Sequence, residues 1–177
     1  LMKTLPNWLL ISGSGRNVGK TTLSCRIIRE WSGLNPVAVK ISSHLHALPE
    51  DSEWILRGED FSVIRETRIS PKDSSKMLQS GAELSFYAQG PDYRLPEILY
   101  ALNIITKNRP VVCESGGLRK IIIPGIYFLI KDDTRNIKPG INSLEILADR
   151  ILSPSDISEK EIEKNLLFKN NCWQIKN

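Results

Sequence analysis

Trp8-Leu9-Leu10-Ile11-Ser12-Gly13-Ser14-Gly15-Arg16-Asn17-Val18-Gly19-Lys20-Thr21-Thr22-Leu23 is the stretch on which the fold turns. It opens with an unbroken apolar run, Trp8 to Ile11, and passes into a small, polar and glycine-rich loop, Ser12 to Gly19. From Lys20 to Trp31 the apolar residues Leu23, Ile27, Ile28 and Trp31 recur at the spacing of one helical face. The stretch therefore reads as strand, loop and helix. Gly33, Asn35 and Pro36 stop the helix, and Val37-Ala38-Val39-Lys40-Ile41 follows as a short, largely β-branched run without polar alternation. Such a run suits a parallel strand covered on both faces, so the first forty residues predict a βαβ unit.

Outward from that unit, a polar loop spans Ser42 to Ser52. Trp54–Arg57 and Phe61–Arg65 flank Gly58-Glu59-Asp60 and predict a β-hairpin inserted beside the loop end of the sheet. Lys72 to Ser80 reads as a helix with Met77 and Leu78 inward and Gly81 as its stop. Strands are expected at Glu83–Ala88, Val111–Glu114, Ile126–Ile130 and Arg150–Leu152, and helices at Leu95–Lys107 and from Ser143 to Leu147. The tail from Ser158 to Phe168 reads as an amphipathic helix, with Ser158 and Glu161 at capping-box spacing. Alternating strands and helices with short connections predict one α/β domain over residues 1–177, a three-layer fold with a mostly parallel central sheet and a β-hairpin insertion.

The chain has 177 residues, long enough to bury roughly 70% of its unfolded surface, so no disulfide or metal staple is needed. With 41% hydrophobic and 25% charged residues it lies outside the disordered class. A net charge of +4 is modest for a protein that grips nucleic-acid backbone; anionic small ligands account for it as well, and no nucleic-acid partner is expected. The longest apolar run, Ile121 to Ile130, is about half of what a membrane-spanning helix needs, so no membrane partner is expected either. Trp8–Ile11 is too short for a signal-peptide core, which points to a cytoplasmic protein, and Leu1 ahead of Met2 reads as a numbering remnant. Cys25, Cys113 and Cys172 are far apart with no CxxC spacing and read as buried thiols rather than a zinc or disulfide framework.

Gly19-Lys20-Thr21 is the tail of a Walker A motif, placed between a strand and the first turn of a helix. Glycines let backbone N–H groups turn inward around phosphate oxygens, and the helix N-terminus adds partial positive charge. Lys20 can then neutralise the β and γ phosphates while the Thr21 hydroxyl ligates Mg²⁺. Gly13, Ser14, Gly15, Arg16, Asn17, Val18, Gly19, Lys20, Thr21 and Thr22 are thus the expected nucleotide-binding residues. Ser14 stands where the common spacing has glycine, so the motif is met only in the extended form Gly13-x5-Gly19-Lys20.

The chain resembles the SIMIBI branch of P-loop NTPases and, within it, the MobB family of molybdopterin-guanine dinucleotide biosynthesis adaptors. The loop with Gly19-Lys20-Thr21-Thr22-Leu23 carries the likeness, together with Val39-Lys40-Ile41-Ser42-Ser43-His44-Leu45-His46 and Lys72-Asp73-Ser74-Ser75-Lys76-Met77-Leu78-Gln79-Ser80-Gly81-Ala82. It covers about residues 8 to 130. The loop, with Val18 before Gly19, is also similar to that of dethiobiotin synthetase, and Glu114-Ser115-Gly116-Gly117-Leu118 echoes that family's EGAGG segment. MobB relatives carry a Glu-Gly-Phe-Lys type sequence there, which Ser115 and Gly116 do not match. Both resemblances imply a P-loop NTPase fold and a Mg²⁺ site of Thr21, Asp73 and Glu114, with Lys20, Glu114 and Asp73 as the catalytic set.

Each of these residues has a plainer alternative. Asp73 is either a metal ligand or the N-cap of the helix from Ser74, and Glu114 either a metal ligand at the carboxyl end of a buried strand or an ordinary exposed carboxylate. Lys40 faces the γ-phosphate or an anionic substrate, or caps its strand in solvent, and His44 and His46 form a metal pair or proton shuttle, contact substrate, or merely fill the loop. Arg16 touches phosphate, crosses a dimer interface or is exposed; Arg119 and Lys120 bind an anionic substrate or are exposed. The leading expectation is Mg²⁺-dependent binding and slow hydrolysis of GTP or ATP in molybdenum-cofactor nucleotide biosynthesis or a related small-molecule pathway. A homodimer and a protein partner of that pathway are expected with it. The alternatives are an ATP-dependent synthetase resembling dethiobiotin synthetase and a nucleotide-gated adaptor without enzymatic purpose, which would use the hairpin at Trp54–Arg65.

Overall fold

A computed structural model describes residues 2–176; Leu1, read as a remnant, and Asn177 lie outside the described residues. The apolar runs become strands because each can bury both faces. Along β7 (Ile122–Ile130), for example, Tyr127 and Leu129 enter one apolar cluster while Ile126, Phe128 and Ile130 enter the other. Five further strands run parallel with it: β1 (Lys3–Gly13), β2 (Val37–Ser42), β5 (Leu84–Gln89), β6 (Val111–Ser115) and β8 (Arg150–Leu152). The expected hairpin forms as β3 (Glu53–Arg57) and β4 (Ser62–Arg65), and it extends the sheet because β4 pairs antiparallel with β5. The result is one mixed, mostly parallel sheet of eight strands in the order β3-β4-β5-β2-β6-β1-β7-β8.

Helices cover both faces. On one lie α1 (Lys20–Glu30), α2 (Asp73–Gln79) and α5 (Pro154–Ser158), which bury Leu23, Ile27, Ile28, Met77 and Ile157 with Leu9, Ile11 and Val112 of the strands. On the other, α3 (Leu95–Thr106) and α4 (Ile141–Glu145) bury Leu95, Ile98, Leu102, Ile141 and Leu144 against Leu10, Val39 and Cys113. Each fully buried aliphatic side chain contributes about 1.5–3 kcal/mol, so these two clusters hold the helices to the sheet. No helix is long and apolar enough to cross a membrane among the described residues. All three cysteines are free, but only Cys113 is buried; Cys25 and Cys172 are half-buried, short of the expectation for them.

Two strands run further than expected, and for one reason. β1 begins at Lys3 rather than Trp8, and β7 at Ile122 rather than Ile126, although Pro6 and Pro124 interrupt the runs. Below Trp8, β1 pairs with β7 alone, and the register shifts between Leu5 and Leu9, so the prolines sit beside an irregularity where a ladder hydrogen bond is dispensable. Gly125 is required in this region: a Cβ there would lie 2.1 Å from the Pro6 carbonyl oxygen.

The tail overturns the expected helix at Ser158–Phe168. The capping box that forms is Ser153 with Asp156, followed by Pro154 in the first turn, and the resulting helix ends at Ser158. Lys160 then takes a left-handed conformation, φ 56°, which stops helical continuation. Leu166–Lys169 (β9) and Cys172–Ile175 (β10) form a separate antiparallel hairpin around Asn170 and Asn171, both at positive φ, as a two-residue primed turn demands. Trp173 of β10 is fully buried, donates from Nε1 to the Val111 carbonyl at 3.1 Å, and meets Trp31 and Phe168 edge-on. Arg26 of α1 clips the same region by donating from Nε to Glu163 at 2.8 Å. Trp173→Ala is expected to cost about 3–5 kcal/mol in denaturant unfolding, and a loss below 1 kcal/mol would show that the hairpin does not seal this face.

Candidate functional site

The carboxyl ends of β1, β2 and β6 lie side by side, and β6 is inserted between the two strands that α1 connects. Chain connections leave this point in opposite directions, toward β2 and toward β7, which is where open α/β sheets receive ligands. A cleft of about 1040 Å³ opens here. Six cationic side chains line it (Arg16, Lys20, Lys40, Lys72, Lys76 and Lys138) against the acids Asp73, Asp92 and Glu114, so its field favours an anionic ligand.

The loop after β1 doubles back on itself. A Cβ at Gly13 would lie 2.7 Å from Val18 Cγ2 and 2.9 Å from Lys20 Cδ, so only glycine permits the fold-back. Asn17 and Gly19 take positive φ, 57° and 106°, and turn the chain into α1. Lys20 curls over the loop and donates from Nζ to the Gly15 carbonyl at 2.6 Å. Burial pulls its ammonium below the usual lysine range, and Glu114 opposes this only in part. The first turn of α1 contains no acidic residue, so its N-terminal partial charge remains uncompensated within that turn.

Not every residue of the motif faces the cleft. Gly13, Arg16, Asn17, Gly19, Lys20, Thr21 and Thr22 line it, whereas Ser14, Gly15 and Val18 do not. Val18 is buried in the core with α1 and α5. Ser14 is stitched to the opposite side: its N–H donates to the Ile130 carbonyl at 2.8 Å, its hydroxyl accepts from Asp132 N at 3.0 Å, and its carbonyl accepts from Lys138 N at 3.0 Å. Ser14 does not take positive φ, so the turn does not require glycine at this position.

Three distant segments meet at one carboxylate. Glu114 is 2% exposed, which removes the reading of an ordinary exposed acid. Its Oε2 accepts from Thr21 Oγ1 at 2.9 Å, and its Oε1 accepts from Lys40 Nζ. Lys40 also reaches Asp73 Oδ2 at 3.1 Å. Burial depresses the Lys40 ammonium, but Glu114 and Asp73 outweigh burial and hold it above the usual lysine range. Lys40 is therefore an ion-pair partner rather than a solvated strand cap. Asp73 is the first residue of α2, whose N-cap is Lys72 without a side-chain cap, so the N-cap alternative for Asp73 fails and its carboxylate is free to turn toward Lys40.

Other expected positions divide. His44 and His46 line the cleft; the His46 backbone is held in both directions by Gln89, at 2.9 and 3.0 Å. Arg119 is 9% exposed, donates to the Ile122 carbonyl at 2.8 Å and lies over the Tyr127 ring, so it is neither exposed nor in the cleft. Lys120 pairs at the surface with Asp92 at 2.9 Å. Tyr87, Asp92 and Lys138 line the cleft without having been anticipated. Lys138 is brought there by its hydrogen bond to Ser14, a contact without local sequence signal.

No family model, curated protein or solved structure matches this chain.

Among the described residues no three His, Cys, Asp or Glu side chains gather as a metal cage, so the convergence is a hydroxyl, two carboxylates and an ammonium. Such a buried network loses stability when one charge is removed alone. Glu114→Gln leaves Lys40 facing Asp73 only and should cost about 1–3 kcal/mol at neutral pH, since Asp73 retains part of the pairing. Urea unfolding measures this, and an unchanged midpoint would show that Glu114 does not anchor the network.

Proposed function

We propose that the chain is a Mg²⁺-dependent nucleoside-triphosphate-binding protein of the P-loop NTPase class, MobB-like, taking GTP or ATP. One observation carries this reading: the fold-back of the loop over Lys20 stands directly beside Thr21, Glu114 and Asp73, at the carboxyl ends of β1 and β6. The three stretches of the MobB resemblance, separated by tens of residues, also contribute to one cleft through Lys20, Lys40, His44 and Asp73. On this reading the protein serves molybdenum-cofactor nucleotide biosynthesis or a related small-molecule pathway.

Whether the residues suit Mg²⁺ can be judged from what they hold. Two carboxylates already hold one positive charge, the Lys40 ammonium, the Thr21 hydroxyl reaches the other oxygen of Glu114, and hard oxygen donors of this kind suit Mg²⁺, which retains several waters. Thr21, Glu114 and Asp73 would hold the ion. When bound, it supplies neutralisation of phosphate charge. Lys20 and the N-terminal amides of α1 bind the phosphates, with the amides fixed in place before the ligand arrives. Glu114 would be committed to the ion and to Thr21, and so is poorly disposed to take a proton from water; this supports slow hydrolysis.

Calorimetric titration with ATP and with GTP, each with and without Mg²⁺, tests the reading. Mg²⁺-dependent binding of at least one nucleotide is expected. Lys20→Ala should weaken it about 100-fold, the worth of a charge-assisted hydrogen bond of ~3 kcal/mol. Failure of both nucleotides to bind would overturn it.

A synthetase resembling dethiobiotin synthetase is supported by one feature. His44, Tyr87, Gly116 and Gly117 also line the cleft, whose volume of about 1040 Å³ leaves room for a second substrate beside the phosphates. That reading expects phosphate release stimulated by a small acid or amine.

A further inference from the structure

We propose that Lys40 is a resident stand-in cation, whose ammonium fills the position between Glu114 and Asp73 that a divalent ion would take and yields it only to a metal–triphosphate. This rests on the reading of the cleft as a triphosphate site. Lys40 thereby becomes a specificity-determining residue for triphosphate over diphosphate.

The argument begins with the partners. Both carboxylates are committed to one ammonium, and the remaining oxygen of Glu114 takes the Thr21 hydroxyl. Other cations of the cleft do not share this role. Lys20 is turned back onto Gly15, and Lys76 approaches only Asp73, at 3.8 Å and from an exposed position. Lys138 lies against the loop at Ser14, and among the described residues Lys40 alone bridges the two acids. Its side chain is 18% exposed and extends from β2, so it is tethered at the position while free ions must arrive from solution. A tethered charge competes at high effective concentration, which suppresses metal binding in the nucleotide-free protein.

The ammonium can leave only for another anion. Thr21, in the first turn of α1, meets one oxygen of Glu114 and Lys40 meets the other, within the same cleft as Lys20, so a phosphate chain bound at the α1 N-terminus extends toward Lys40. The terminal phosphate of a triphosphate gives Lys40 a new partner as the metal takes Glu114 and Asp73. A diphosphate lacks that group, and Lys40 then competes with its metal. No bond is made or broken; one ion pair is exchanged for another.

Mn²⁺ serves as the probe ion, followed by electron paramagnetic resonance of nucleotide-free protein, the native chain beside Lys40→Met. The variant should bind Mn²⁺ at least about tenfold tighter, as removal of one positive charge within ~4 Å in a partly buried site requires. It should also lose most of the native preference for Mg²⁺-triphosphate over Mg²⁺-diphosphate. Lys40→Gln, which can still donate to Glu114 without the charge, gives the same comparison if Lys40→Met does not fold. Mn²⁺ affinity equal to or weaker than native in the folded variant overturns the proposal, even where the native chain binds Mg²⁺-triphosphate as expected. A native chain that binds no triphosphate overturns the functional reading separately, whatever the Mn²⁺ result.

Discussion

A carboxylate buried at the centre of a sheet must find charge and hydrogen-bond partners, and Glu114 finds both. Desolvation of such a group costs several kcal/mol, which its partners must offset. Thr21 comes from the first turn of α1, Lys40 from β2, and Asp73, through Lys40, from the start of α2. The loop after β1, the second strand and the helix behind the hairpin are therefore fixed to one another through a single side chain. Apolar packing assembles the sheet, but it has no directional preference at the strand ends. The ion network supplies that direction.

How much of this could be read beforehand follows from the range of the interactions. The βαβ unit was legible because each part is local: an apolar run, a glycine loop and a helical period within forty residues. Thr21, Lys40 and Glu114 could be named as candidates from their neighbours in sequence, and Asp73 as a metal ligand only through the family resemblance. Their mutual contacts could not, since Glu114 meets Thr21 across 93 residues and Lys40 across 74. Lys138 was invisible for the same reason, because a hydrogen bond to Ser14 brings it in. Arg119 was misjudged by composition, which favours exposed arginine; its stem and guanidinium lie against Tyr127 instead.

The tail shows a different failure. Ser158 and Glu161 satisfied the capping pattern, but Ser153 and Asp156 satisfied it five residues earlier, with Pro154 in the favoured first turn. Two candidate caps competed and the nearer to β8 won. Past it, Asn170-Asn171 was the better guide, because consecutive asparagines tolerate the left-handed conformations that a tight hairpin needs. Leu166 and Phe168, two residues apart, match the alternation of a strand rather than one face of a helix.

Trp173 closes a face that Leu9, Ile11 and Leu23 open. The indole that caps the apolar surface of β1 and α1 is synthesised about 150 residues after them, at a rate of roughly 5–20 residues per second. For that interval of roughly 8–30 seconds, the inner side of β1 and α1 lacks its last covering layer. Native closure of this face thus waits for a segment made long after the strand and helix it covers, and until then the nascent protein presents sticky surface to its surroundings.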